Sequence, residues 1–333
     1  MIIPIKASSF SYDVLVEDGS LNRIGEILDL SRRVMIVTDD NIPLSYLDFV
    51  RYSSKESYVY TIPHGEKSKC FEQLQGILKM MLEKGFNRKD CVVALGGGVV
   101  GDLAGFAASM YMRGVDFYNI PTTVLSMVDS SIGGKTAIDF AGYKNSIGAF
   151  YPPKKVVIDT LTLKTLPERE IRAGLVEAIK MAATFDESLF HEFEATNPRL
   201  LDFAEIIGKS LLIKKHVVEE DERESGLRKA LNFGHTFGHA IESYYEGKYL
   251  HGECVGMGML YLSEKPARDR ILAVLNKYHC PVSSGVDNSL LLPYIKRDKK
   301  SAGDGVDAIV CEKIGTFEIK HMSYEELLLR KGE

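Results

Sequence analysis

The feature that most restricts this chain is an apolar run that breaks into three glycines. Asp90-Cys-Val-Val-Ala-Leu95 has the length and composition of a buried strand, and Gly96-Gly97-Gly98-Val-Val-Gly101 follows at once. A short apolar run bounded by turn residues suits a strand buried on both faces, as occurs where helices cover a parallel sheet. The glycines satisfy a G-x-G-x-x-G pattern between a strand and a helix start, where backbone amides and the helix dipole favour a pyrophosphate. Alone the pattern is weak, because glycine-rich strand-to-helix turns are common. The ribose-binding acid belongs about twenty residues further on. Only Asp116 is available there, and it comes early; Asp39, upstream of the glycines, is the other candidate.

The neighbouring text extends the same architecture. Arg33-Val-Met-Ile-Val-Thr-Asp39 reads as a buried strand after a helical segment around Leu21–Leu30, and Ser57–Ile62 as another strand. Leu74, Ile77, Leu78, Met81 and Leu82 recur at helical spacing within Cys70–Lys84, which stops at Gly85. Phe117–Ile120 and Lys155–Asp159 complete the strand candidates. Strands alternating with helices predict an α/β nucleotide-binding domain with a mostly parallel sheet, binding ligands at the carboxyl ends of its strands. From Leu166 onward helical periods dominate: Glu168–Phe185, Leu201–Glu220, Phe237–Tyr245, Cys254–Lys265 and Arg268–Tyr278, with a short strand in Gly315–Lys320. A chain of 333 residues exceeds one comfortable core. We therefore expect an α/β domain over 1–162 and a mainly α-helical domain over 163–333.

Composition excludes several classes. Hydrophobic content of 45% with 26% charged residues is that of a soluble globular protein. A net charge of −5 and a pI near 6.0 argue against a nucleic-acid partner. No apolar run is long enough to span a membrane, and Met-Ile-Ile-Pro-Ile-Lys lacks signal-peptide features. Five scattered cysteines, never spaced as a metal knuckle, fit reduced thiols, so a cytoplasmic location is expected.

The chemistry concentrates in a few stretches. Three of the eight histidines, His235, His239 and His251, fall between Leu231 and Met257 among Gly234, Gly238 and Gly252. His235 and His239 are four apart and share one face of a helix, and a third imidazole arriving later would complete a metal site. Helix capping or core hydrogen bonding is the alternative for each histidine taken singly. Glu177-Ala-Ile-Lys180 sets an acid and a base on one face of an otherwise apolar helix; a buried carboxylate there needs a partner, and a metal would be one. Pro121-Thr122-Thr123 through Asp129-Ser-Ser-Ile-Gly-Gly-Lys135, with Lys144-Asn145 beyond, combines lysines with glycine amides, suited to an anion or to a surface loop. His64-Gly-Glu66-Lys67-Ser68-Lys69 is a polar loop before a helix. Lys214, Glu224, Arg228 and Asn232 lead into the histidines, and Lys299 and Lys300 follow later.

Together and in order, the Gly96–Asp102 loop, the Pro121–Lys135 segment, Glu177–Lys180, Asn232-Phe-Gly-His235 with His239, and His251-Gly-Glu resemble the 3-dehydroquinate synthase family, from about Val34 to Gly315. The resemblance implies a lyase of the shikimate pathway, in aromatic amino acid biosynthesis, acting on 3-deoxy-D-arabino-heptulosonate 7-phosphate. The route is transient oxidation at C5 by NAD, β-elimination of phosphate, return of the hydride, then ring opening and intramolecular aldol closure. It implies a divalent metal, zinc or cobalt, on Glu177, His235 and His251, which would release His239 from the metal to act with Glu224 in proton transfer. Lys135 joins the catalytic group and also matches a substrate contact, as do Asp129, Asn145, Lys180, Lys214, Arg228, Asn232 and one of Lys299 and Lys300. Arg113 matches an arginine lent by the neighbouring subunit of a homodimer. Cofactor contacts fall on Asp39, Asn41, Glu66, Lys69, Gly96, Gly97, Gly98, Asp102, Thr122, Thr123, Lys144, Thr162 and Thr165. The competing readings are another sugar-phosphate cyclase, a metal-dependent NAD(P) polyol dehydrogenase, and a non-enzymatic nucleotide-sensing module.

Overall fold

The computed structural model describes residues 1–297, 301–302 and 304–332. The chain divides between Leu166 and Pro167 into two compact units. The cut expected after residue 162 falls inside a 3-10 turn, Thr160–Thr165, of the first unit.

The strands of the first unit are β1 (Ile2–Lys6), β2 (Ser11–Val16), β3 (Arg33–Asp39), β4 (Glu56–Ile62), β5 (Cys91–Gly96), β6 (Asp116–Pro121), β7 (Lys135–Phe140), β8 (Tyr143–Phe150) and β9 (Lys155–Ile158). Seven form one sheet in the order β1-β2-β9-β6-β5-β3-β4, parallel throughout except for the β1–β2 pair. Alternation within β3 explains why its run is continuously apolar. Val34 and Ile36 point into one core with Val93, Leu95, Leu47 and Val50, while Met35 and Val37 point into another with Leu74, Ile77 and Leu103. The helices supplying those partners are α1 (Ile24–Ile27), α2 (Leu44–Ser53), α3 (Phe71–Glu83) and α4 (Gly98–Met110).

One expectation is corrected here. The segment around Leu21–Leu30 holds only a 3-10 turn and the short α1, not a full helix. The hairpin β7–β8, which Lys135 opens, was not anticipated; it turns at Ala141 and Gly142, both left-handed with φ of 52° and 81°. The β1–β2 pair was not anticipated either. Pro4 is accommodated because β1 lies at the sheet edge, where its missing N–H is harmless.

The second unit contains α5 (Glu168–Phe185), α6 (Glu187–Ala195), α7 (Phe203–Glu220), α8 (His235–Tyr245), α9 (His251–Tyr261), α10 (Ala267–Lys277), α11 (Asn288–Arg297) and α12 (Tyr324–Leu329), with an antiparallel sheet of β10 (Ser301–Ala302), β11 (Gly305–Val310) and β12 (Glu318–Ser323). Helix α5 is buried on every side from Ala173 to Thr184, so it runs through the core of this unit. Helix α9 approaches the start of α8 and the side of α5 closely at glycines. A Cβ on Gly258 would stand 2.0 Å from the Gly234 carbonyl oxygen, and one on Gly252 would stand 1.9 Å from that of Ala173.

Candidate active site

In the first unit, most candidate cofactor residues fall along one edge of the sheet. Strands β9, β6, β5, β3 and β4 are successive neighbours running parallel, so their carboxyl ends line up. Asp39 ends β3, and its Oδ1 accepts the Asn41 N–H at 2.9 Å. Burial raises the Asp39 carboxyl above its ordinary range. Glu66 and Lys69 come just after β4, in and beyond a 3-10 turn. Gly96 closes β5, Gly97 caps α4 and Gly98 opens it. Thr122 follows β6 and its N–H donates to the Gly96 carbonyl at 3.0 Å. Thr162 and Thr165 lie in the turn after β9. Lys144 is the exception, exposed on β8.

The glycines are required here by close packing rather than by backbone freedom. Gly97 has φ −78°, open to any residue, yet a Cβ there would stand 3.1 Å from Thr123. On Gly96 and Gly98 it would stand 2.7 Å from Val100 and 3.0 Å from Ser130. With no capping side chain on Gly97, the first-turn amides of α4 are directed outward, as a pyrophosphate requires.

A buried ion pair joins this edge to the β7–β8 hairpin. Lys69 Nζ lies 2.5 Å from Asp102 Oδ2 and also donates to Asn145 Oδ1. Burial alone would lower the Lys69 pKa, but the charges of Asp102, Glu66 and Asp139 and the hydrogen bond to Asp102 together outweigh it and raise it. Asp139 secures the hairpin: its N–H donates to Lys69 O at 2.8 Å, and its Oδ1 accepts the Asn145 N–H at 2.8 Å. Asp129 sits in a π-type turn, Ser126–Ser130, a local widening frequent at functional sites. Lys135 is exposed at the start of β7. Arg113 is exposed too, and both it and Met112 are left-handed, with φ of 66° and 47°.

In the second unit, the side-chain nitrogens of His235, His239 and His251 lie within 4.8 Å of one another. Glu177 meets them from α5 with its side chain 0% exposed: Oε1 is 3.4 Å from His251 Nε2 and 3.9 Å from His235 Nε2, and Oε2 pairs with the equally buried Lys180. Backbone and side-chain acceptors decide which nitrogens face the centre. The Phe233 carbonyl lies 3.1 Å from His235 Nδ1, and Glu242 Oε2 lies 3.2 Å from His251 Nδ1. Neither oxygen can donate, so both Nδ1 atoms carry protons and both Nε2 atoms face Glu177 Oε1, His251 Nε2 bearing the proton that this carboxylate accepts. Burial alone would lower the His251 pKa; the carboxylates of Glu177 and Glu242 outweigh it and hold it at about 10. A divalent cation fits this set: it replaces ring protons, and its charge relieves a buried carboxylate among nitrogen donors.

The approach to α8 is organised by a residue not singled out from the sequence. Asp221, buried after α7, accepts the N–H groups of Ser225 at 2.9 Å, Gly226 at 2.7 Å and Arg228 at 3.0 Å. Burial would raise its pKa, but those bonds outweigh it and push it down to about 2. The loop so fixed brings Asn232 Nδ2 within 2.5 Å of Glu224 Oε1 and buries Arg228, whose guanidinium donates to Glu222 O at 2.6 Å. Glu224 is left-handed, with φ 63°, a strain the loop maintains. Lys214 is buried on α7. Lys299 and Lys300 lie outside the described residues. Glu253 was also overlooked. Its carboxylate accepts the Leu250 N–H at 2.8 Å and a two-pronged pair from Arg169 at 2.7 and 2.8 Å, fixing the turn that begins α9 at His251. Its sequence signals were its place three residues beyond a helix start and its membership of the His251-Gly-Glu motif, neither of which gave it a role.

Comparison with known proteins gives a consistent result. Residues 59–173 match the family described as 3-dehydroquinate synthase N-terminal, and residues 174–301 the one described as 3-dehydroquinate synthase C-terminal. The 3-dehydroquinate synthase of Clostridium kluyveri is 39% identical, covering 98% of this chain and 96% of that protein. Among solved structures, ValA, a 2-epi-5-epi-valiolone synthase of Streptomyces hygroscopicus with NAD+ and Zn2+ bound, is 27% identical, with a TM-score of 0.86 over 97% of this chain and 96% of that one. A 2-deoxy-scyllo-inosose synthase complexed with carbaglucose-6-phosphate, NAD+ and Co2+ shares the fold, with a TM-score of 0.89 at 23% identity over 98% of each chain.

Proposed function

Because the chain belongs to the 3-dehydroquinate synthase family, we propose that it converts 3-deoxy-D-arabino-heptulosonate 7-phosphate to 3-dehydroquinate and phosphate, using NAD and a divalent metal. The observation that carries the site assignment is the fully buried Glu177 carboxylate facing the Nε2 atoms of both His235 and His251, with Lys180 beside it. The metal, zinc in our reading, is held by Glu177, His235 and His251. When bound, NAD takes up and returns a hydride, and the metal supplies Lewis acidity at the alcohol being oxidised.

The chain's own residues do the rest. His239, one helical turn from His235, and Glu224, held by Asn232, move protons during ring opening and closure. Lys135, Lys180, Lys214 and Arg228 with Asn145 and Asn232 bind the phosphate and carboxylate, joined by Asp129 and one of Lys299 and Lys300. The sheet edge carrying Asp39, Asn41, Glu66, Lys69, Gly96, Gly97, Gly98, Asp102, Thr122, Thr123, Thr162 and Thr165, with Lys144, binds NAD, Asp39 taking the ribose. Residues 1–162 thus carry all but one of the nucleotide contacts, and 163–333 the metal ligands with most of the substrate contacts. We place Arg113 in the site of a second copy; its left-handed turn and the exposed Met110 and Met112 beside it support a homodimer through this segment. The five free thiols suit the reducing cytoplasm, and among the described residues no helix is long and apolar enough to cross a membrane.

The test is phosphate release. The proposal expects phosphate to appear from the heptulosonate phosphate with no net NADH. NADH accumulating with a simple polyol and no phosphate release would overturn it, and phosphate released only from a different sugar phosphate in a panel would reassign the chain to another cyclase activity.

A further inference from the structure

His235 and His251 face the same carboxylate oxygen but are oriented by different means. His235 Nδ1 donates to the carbonyl of Phe233, two residues back in its own chain segment. That carbonyl is fixed by the left-handed Gly234 at the start of α8, so His235 needs no outside support. For His251 the acceptor at Nδ1 is a side chain from another helix. His251 opens α9, and the carbonyl of the preceding Leu250 is committed along the helix, accepting the Cys254 N–H at 3.0 Å. The acceptor comes instead from α8: Glu242 Oε2 lies 3.2 Å from His251 Nδ1, and the Glu242 side chain is mostly buried.

We propose that Glu242 is a positioning residue that orients His251 as a metal ligand and sets how tightly the site holds its cation. The proposal rests on the metal reading given above. A carboxylate on Nδ1 fixes the tautomer that leaves Nε2 as the donor, prevents ring rotation, and increases the basicity of Nε2. A buried carboxylate is costly without partners, and His251 is one that offsets the burial of Glu242. The His251 ring so oriented lies beside that of His235 at a centroid separation of 5.3 Å. His251 therefore depends on a side chain that substitution can remove, whereas the acceptor for His235 is backbone.

The test titrates the metal-stripped, full-length protein with Co2+, following its visible absorption and measuring affinity by competition with a chelator. Glu242→Leu keeps approximate volume and removes the acceptor; we expect Co2+ affinity about 10–100-fold weaker and an altered ligand-field spectrum. Glu242→Gln keeps an acceptor oxygen and loses the charge; we expect a smaller loss with a wild-type spectrum. Thermal unfolding of the metal-stripped variants and their NAD affinity should match wild type, which separates orientation of a ligand from general packing. If Glu242→Leu does not fold, Glu242→Gln decides alone, and wild-type Co2+ affinity in that variant overturns the proposal. Wild-type affinity and spectrum in Glu242→Leu also overturn it. If the unsubstituted protein takes up no Co2+, or His235→Ala binds it as tightly, the metal reading itself fails, an outcome distinct from the others.

Discussion

Gly258→Ala tests the claim that helix spacing sets the metal site. The added Cβ would stand 2.0 Å from the Gly234 carbonyl oxygen and 2.7 Å from the Gly238 nitrogen, whereas ordinary contact begins at 3.4 Å. The difference from the nearer atom, 3.4 − 2.0, means that about 1.4 Å of retreat is required. Both obstructing groups are backbone of α8, so no side chain can swing aside, and Gly234 is the left-handed cap immediately before His235. Overpacking of this kind costs about 1–3 kcal/mol, or a fall in Tm of about 2–4 °C per kcal/mol for a unit of this size. The larger effect should be functional. A shift of α8 from α9 carries His235 away from His251, and misplacement of about 1 Å costs on the order of 100-fold in rate. Gly256→Ala on the same helix is the control, since its Cβ meets only Leu275 and Val176 side-chain carbons at 3.3 Å. Those can adjust, and alanine is favoured over glycine in a helix by about 1 kcal/mol. Thermal unfolding, Co2+ affinity and phosphate release of both variants give the answer. A Gly258→Ala protein with wild-type metal affinity and turnover would show that the spacing of these helices does not set the site.

Other expectations follow from the same geometry. His251→Ala should lose bound metal together with activity, whereas His239→Ala should retain metal and lose about 10²–10⁴ in rate; metal analysis of the purified variants distinguishes them, and the reverse pattern would invert our assignment. Asp221→Asn should destabilise the second unit in a pH-dependent way. The folded pKa of about 2 lies below the ordinary 3.8, so Asp221 contributes roughly 2 kcal/mol above about pH 4 that is lost as pH falls towards 2. Denaturant unfolding should therefore show a gap between wild type and Asp221→Asn near neutrality that closes in acid, and a gap independent of pH would exclude the carboxylate as its source. Removing metal with a chelator should abolish phosphate release while leaving NAD affinity, measured by nucleotide titration, near its starting value.

The strands that carry the nucleotide edge were readable because burial on both faces leaves an unbroken apolar run, as in Val34–Val37 and Cys91–Leu95. The β7–β8 hairpin was not, because Tyr143–Phe150 is largely exposed and reads as polar text. Its pairing depends on a left-handed turn at Ala141 and Gly142 and on the bonds from Asp139 and Asn145 to Lys69, none of which leaves a local period. The same division runs through the metal site. Spacing brought His235 and His239 together because a helix makes neighbours of residues four apart, and the structure does bring them together. Spacing cannot report Glu177, which arrives from another helix, nor does it tell a ligand from a proton carrier among three imidazoles.

The carboxylates make the physical reason plainest. Glu177, Glu242 and Glu253 all stand on helices, where glutamate is an ordinary surface residue; the apolar run around Glu177 marks it for burial, while the local sequences of Glu242 and Glu253 differ little from those of exposed acids. What separates them is the partner each one faces: Lys180 and two imidazoles for Glu177, the His251 ring for Glu242, Arg169 and the Leu250 amide for Glu253. A buried charge persists only where such partners offset its desolvation. Its role is therefore decided by tertiary contacts, and the acids of this site are where a reading of sequence pattern alone must stop.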